Sequence, residues 1–144
     1  DKIFLISWGN YYDKGYSFQM IDPKQGNKVT DLGVATKMAS GNDMVYLVNS
    51  DTDWSIHKTT NTFTSYNAKT GKMNSSSFLK NAPEELASLT IYMISVDEES
   101  GDIYIGVTFF EAGNGTIYRF AKDGTYKDKF ECGGISPLKM VFFN

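Results

Sequence analysis

One turn is written three times along this chain. Ile21-Asp22-Pro23-Lys24-Gln25-Gly26, Tyr66-Asn67-Ala68-Lys69-Thr70-Gly71 and the shorter Phe120-Ala121-Lys122-Asp123-Gly124 each leave a strand end, pass a small or polar residue and a lysine, and close on glycine. The glycines lie 45 and 53 residues apart. A second series keeps the same order, because Ile3-Phe4-Leu5-Ile6, Val45-Tyr46-Leu47-Val48 and Ile103-Tyr104-Ile105 each precede their turn by one long loop and one strand. Repeats of about 40 to 50 residues built from short strands are the signature of a β-propeller blade. Three such units fit the 144 residues.

The chemistry between the turns agrees with strands. There are 35 Ser, Thr and Asn residues against 14 Leu and Ala, and hydroxyl and amide side chains compete with helical backbone bonds. Strand-length β-rich runs are predicted at residues 2–8, 16–21, 44–48, 62–66, 91–96, 102–110 and 116–120. In the sixth run Ile103, Ile105 and Val107 share one face, and the small or polar residues 102, 106 and 108 share the other. The one helix-like stretch, Ala82-Pro83-Glu84-Glu85-Leu86-Ala87, is long enough for a single turn. The expected fold is therefore all-β and β-propeller-like: about three four-stranded antiparallel blades, near residues 1–36, 37–82 and 89–135. Phe4, Leu5, Tyr46, Leu47, Ile103 and Ile105 should supply much of the core. The first unit lacks an innermost strand, and residues 138–143 read as a lone closing strand expected to pair beside residues 2–8 of a second copy or of a longer parent chain. Closed propellers hold roughly four to eight blades, so the three form either a partial ring or half of a dimeric ring.

Composition closes several classes of function. A net charge of −3 gives no general attraction to phosphate backbones or anionic lipid, so nucleic acid is not an expected partner. One histidine and one cysteine cannot build a Cys/His zinc cluster, a Cys-x-x-Cys pair or an internal disulfide. No apolar run approaches the roughly 20 residues of a membrane-spanning helix. The chain opens on Asp1 and passes at once into Ile3-Phe4-Leu5-Ile6. That start reads as a processed product or a piece of a longer chain, with any export signal upstream.

The last third resembles a known family. Ile94-Ser95-Val96-Asp97-Glu98-Glu99-Ser100-Gly101-Asp102-Ile103-Tyr104-Ile105, then Gly115-Thr116-Ile117-Tyr118-Arg119-Phe120-Ala121-Lys122-Asp123-Gly124, then Gly133-Gly134-Ile135-Ser136-Pro137 before an aromatic end, resembles the final blade of the YncE-like (DUF5074-type) propellers. The likeness covers about residues 91–143 and is looser before them. It implies an exported protein, at the periplasm or the outer-membrane surface and often lipid-anchored, of the kind found in Gram-negative gut anaerobes. Relatives carry about seven blades, so the chain corresponds to their C-terminal portion. Some relatives capture corrinoids beside an outer-membrane transporter.

In this fold the loops joining the second and third strands of each blade gather on one face. Here they read Trp8-Gly9-Asn10-Tyr11-Tyr12-Asp13, Asp51-Thr52-Asp53-Trp54-Ser55-Ile56-His57 and Phe109-Phe110-Glu111-Ala112-Gly113-Asn114. Both tryptophans and the only histidine fall in them, and flat side chains beside amides and carboxylates suit a ring-bearing or sugar-like ligand. The candidate ligand-binding residues are Trp8, Tyr11, Tyr12, Trp54, His57 and Phe110; the competing reading places these aromatics in the core between blades. Asp51, Asp53 and Ser55 have the oxygen spacing that opens a calcium loop but lack its glycine and distal glutamate. His57 has no Gly-x-Ser-x-Gly elbow to serve, and Asp97-Glu98-Glu99 reads as a solvated hairpin turn. Cys132 is expected to be small, buried or half-buried. No catalytic residue and no cofactor is expected. These features favour a non-enzymatic exported binding protein that captures a small molecule, a glycan or a partner protein with its loop face. It would act as a homodimer or as part of a longer chain. The alternatives are a quinoprotein-like redox enzyme and a corrinoid-capturing accessory of a transporter.

Overall fold

A computed structural model describes residues 1–144. The chain forms eleven strands in three consecutive antiparallel sheets, with three short 3-10 turns and no α-helix. Sheet one is β1 (Ile3–Ser7), β2 (Ser17–Asp22) and β3 (Lys28–Gly33). Sheet two is β4 (Lys37–Gly41), β5 (Met44–Asp53), β6 (Lys58–Asn67) and β7 (Lys72–Asn74). Sheet three is β8 (Thr90–Val96), β9 (Ile103–Thr108), β10 (Thr116–Phe120) and β11 (Tyr126–Glu131). Within each sheet, sequence neighbours are hydrogen-bonded neighbours, the meander of a propeller blade. Sheet one has three strands, with β1 at its edge.

The repeated turns adopt one geometry. Gly26, Gly71 and Gly124 have φ of 65°, 69° and 88°, a left-handed conformation that costs a side-chain-bearing residue roughly 1 kcal/mol and costs glycine little. In the first two, the preceding Asp22 or Asn67 accepts backbone N–H groups two or three residues on, so the side chain closes the turn before the glycine reverses it. Asp22 is also ion-paired with Lys2, whose ammonium holds its carboxyl below the ordinary range. The pair ties β1 to the end of β2.

The sheets stack face to face, and sheet two is buried on both sides. Val45 and Leu47 of β5 pack with Phe18, Ala35 and Tyr66 toward sheet one. Their neighbours Tyr46 and Val48 pack with Phe63, Ile94, Ile103, Ile105 and Val107 toward sheet three. The period of two in a strand thus assigns alternate residues of β5 to two different cores. Phe4 and Ile6 lean on the first core, but Leu5, expected in the core, pairs with Gln19 on the outer face of sheet one and is only half-buried.

Asn61 ties sheet two to the segment that leads from β7 into β8. It is buried at 6% exposure; its amide donates to the carbonyls of Leu86 (2.8 Å) and Leu89 (2.7 Å), and its oxygen accepts from Ser50 (2.7 Å). The helix-like stretch is indeed one 3-10 turn, Glu84–Ala87, which inserts Leu86 into the core.

The C-terminal segment departs from expectation. Residues 138–143 form no strand and pair with no sheet edge of this chain. Residues 134–144 instead run back over the outer face of sheet three. Gly115 N–H donates to the Gly134 carbonyl, the Thr108 hydroxyl to the Ile135 carbonyl (3.1 Å), the Phe142 ring rests 5.2 Å from Tyr104, and the Asn144 amide reaches Asp97. Gly106 makes this possible, since a Cβ there would run into Met93 and Pro137. The expected polar face of β9 is therefore buried as well: Gly106 and Thr108 lie under the tail. Cys132, expected to be at least half-buried, is exposed where the tail leaves β11.

Candidate functional site

Three loops converge on one cleft of about 900 Å³. The β1–β2 loop brings Tyr11, Gly15 and Tyr16, the tip of the β5–β6 hairpin brings Trp54 and His57, and the β9–β10 loop brings Phe110. The floor is polar and comes from strands: Thr36 and Lys37 at the start of β4, residues 49–52 of β5, Thr59 of β6, and Thr90 with Ile91 of β8. All three sheets contribute.

Local geometry explains how each loop holds its ring. Asn10 organises the first: its side-chain oxygen accepts the N–H groups of Tyr12, Asp13 and Lys14 at 3.0–3.1 Å, and its amide donates to Asp13. In the second, Asp53 accepts the backbone N–H and hydroxyl of Ser55, which hold its carboxyl below the ordinary range and fold the four-residue tip. In the third, Thr108 accepts the Phe110 N–H at 3.0 Å, and Phe110 sets its ring edge-on to Tyr92 at 6.0 Å. Seven non-glycine residues have positive φ; four are Asn or Asp, which tolerate it, and the other three are Tyr11, His57 and Phe110. Each of the three cleft loops therefore carries one ring-bearing residue on left-handed backbone, tolerated at His57 and strained at Tyr11 and Phe110.

Four of the six sequence-predicted residues, Tyr11, Trp54, His57 and Phe110, line the cleft. They are exposed there, Tyr11 at 86% and Trp54 at 77%, and so are not core residues. Trp8 and Tyr12 are not among the lining residues: Trp8 packs on Tyr16 at 5.9 Å as its support, and Tyr12 projects into solvent at 95% exposure. Asp51 lines the cleft from within β5, whereas Asp53 and Ser55 are engaged with each other at the hairpin tip. No group of three His, Cys, Asp or Glu side chains is placed to hold a metal ion. His57 makes no hydrogen bond to a serine or a carboxylate. Sequence reasoning missed Lys37, Tyr16, Thr36 and Ile91. A lysine opening a strand carries the signature of a solvated residue, and only the packing of sheet three against β4 encloses it.

Three meander sheets stacked in sequence order, with a cleft where their equivalent loops meet, define a propeller-type arc of blades. No family model matches the chain, and no curated protein matches it. One solved structure that resembles it is the crystal structure of a protein from Lactobacillus plantarum, 15% identical, with a TM-score of 0.42; the match covers 91% of this chain and 37% of that one. The chain thus spans little more than a third of that protein's length.

Proposed function

We propose that this chain is a non-enzymatic binding module that captures a small, partly apolar ligand in the three-loop cleft. The observation that carries the reading is the convergence of Tyr11, His57 and Phe110, one from each sheet's equivalent loop and each on left-handed backbone. Strain of this kind is kept where the surrounding structure has a use for it, and loops on a rigid scaffold are where binding residues concentrate. Exposed flat rings around a hydroxyl-lined floor suit a ring-bearing molecule or a sugar. The isolation of His57 favours capture over turnover, because a general base needs a group to act on and one to orient it.

The residues quoted from the last blade support placing the chain with the exported YncE-like propellers, at the periplasm or the outer-membrane surface. Cyanocobalamin is then the first ligand to titrate. The exposed Ile3 and Val29 on the outer face of sheet one favour a neighbour there, supplied by a second copy or a longer chain. The test is a ligand screen by NMR with cyanocobalamin, oligosaccharides and aromatic small molecules. Binding that shifts the backbone amides of Tyr11, Trp54 and Phe110 supports the reading. Binding confined to other surfaces, or chemical conversion of a bound compound, overturns it.

A further inference from the structure

Twelve of the thirteen lysines are exposed; Lys37 is the exception, and it forms no ion pair. Its position explains both facts. Lys37 sits opposite Val48 in the β4–β5 pairing, on the face of sheet two that meets sheet three, and its ammonium lies 6.0 Å from the centre of the Tyr92 ring. Tyr92 stands edge-on to Phe110, so the amine is joined through two rings to the aromatic rim. The carboxylate that lines the cleft, Asp51, lies on the opposite face of β5 from Val48 by strand parity and does not pair with the amine. A half-buried ammonium without a counter-charge is costly, and burial lowers its pKa accordingly. A ring supplies part of the missing stabilisation, and an anion would supply more.

We infer that Lys37 is the anion anchor of the cleft, and that its ligand is a flat, largely apolar acid whose carboxylate meets the Lys37 ammonium while its ring system lies among Tyr11, Trp54 and Phe110. This rests on the reading of the cleft as a binding site and adds the ligand's charge. The arrangement separates two duties: the rim supplies contact area without preference for charge, and the floor supplies one cation. A neutral ring of the same shape loses the second and keeps the first.

The probes are naphthalene-2-carboxylate and its uncharged counterpart naphthalene-2-carboxamide, titrated by backbone-amide NMR into the intact chain and into Lys37→Met, Lys37→Arg and the double variant Tyr11→Ala/Trp54→Ala. A charge-assisted hydrogen bond predicts that the acid binds about tenfold tighter than the amide, with shifts at Lys37, Ile91 and Phe110. Lys37→Met should bring acid and amide to equal affinity without weakening the amide, and Lys37→Arg should keep the preference. The double variant should weaken both probes alike. Equal affinity of acid and amide for the unaltered chain, or a preference that survives Lys37→Met, overturns the anchor and leaves the cleft reading standing. Failure of both probes to shift any cleft amide overturns the reading and the anchor together.

Discussion

Tyr11 pays for its position with backbone strain and recovers little packing, since it is 86% exposed at φ 60°. Tyr11→Asn, which suits left-handed backbone, should therefore stabilise the fold by about 0.5–1 kcal/mol while weakening ligand capture. Paired denaturation and titration experiments check this; a destabilised variant would show that the ring is structural. Asn61 is the opposite case, a buried amide whose three hydrogen bonds join Ser50 of the cleft floor to the segment that leads into β8. Asn61→Ala leaves two carbonyls without a partner and should cost about 2–4 kcal/mol, read as a lowered urea midpoint. A loss below 1 kcal/mol would mean that water enters and replaces the amide.

At the scale of elements, the turns were readable and the tail was not, for one physical reason. A turn that needs left-handed backbone at a fixed place writes glycine there, so Gly26, Gly71 and Gly124 announce the repeat locally. Strand formation at residues 138–143 depends on which surface the segment meets, and that surface is set by gaps at Gly106 and Gly115 in another part of the chain. The alternation of β9 was legible for the same reason as the turns, but burial of its second face under Pro137 and Phe142 was not. The cleft divides likewise: its loop rings stand out by composition, whereas Lys37 acquires its role only when sheet three closes over β4. Removing residues 135–144 should uncover Met93, Tyr104 and Ile117, giving a species that binds hydrophobic dyes and associates in size-exclusion chromatography. A truncated chain that elutes unchanged would show that the tail is an ornament of sheet three.

For the molecule as a whole, the ionic contacts hold the rims of the sheets, and their pH dependence has one sign. Asp22 beside Lys2, Asp128 in the fork of Arg119, Glu85 beside Lys129 and Asp97 under the Ser100 hydroxyl all have carboxyl pKa values below the ordinary range. A carboxyl depressed in the folded state contributes stability above its unfolded pKa of about 4 and loses it as pH falls through the folded value. Stability should therefore stay level between about pH 5 and 8 and decline below about pH 4. Two matched aromatic deletions test whether the three-loop cleft is where this arc of blades binds its ligand. Tyr11→Ala/Trp54→Ala removes two exposed rings inside the cleft, and Tyr12→Ala/Phe143→Ala removes two exposed rings outside it. The measurement is the dissociation constant of naphthalene-2-carboxylate for each, with the melting temperature recorded alongside. Binding in the cleft gives at least a tenfold loss for the cleft pair, about threefold or less for the other, and a melting temperature for the cleft pair near that of the unaltered chain. Equal losses from both pairs, or unfolding of the cleft pair, would contradict it.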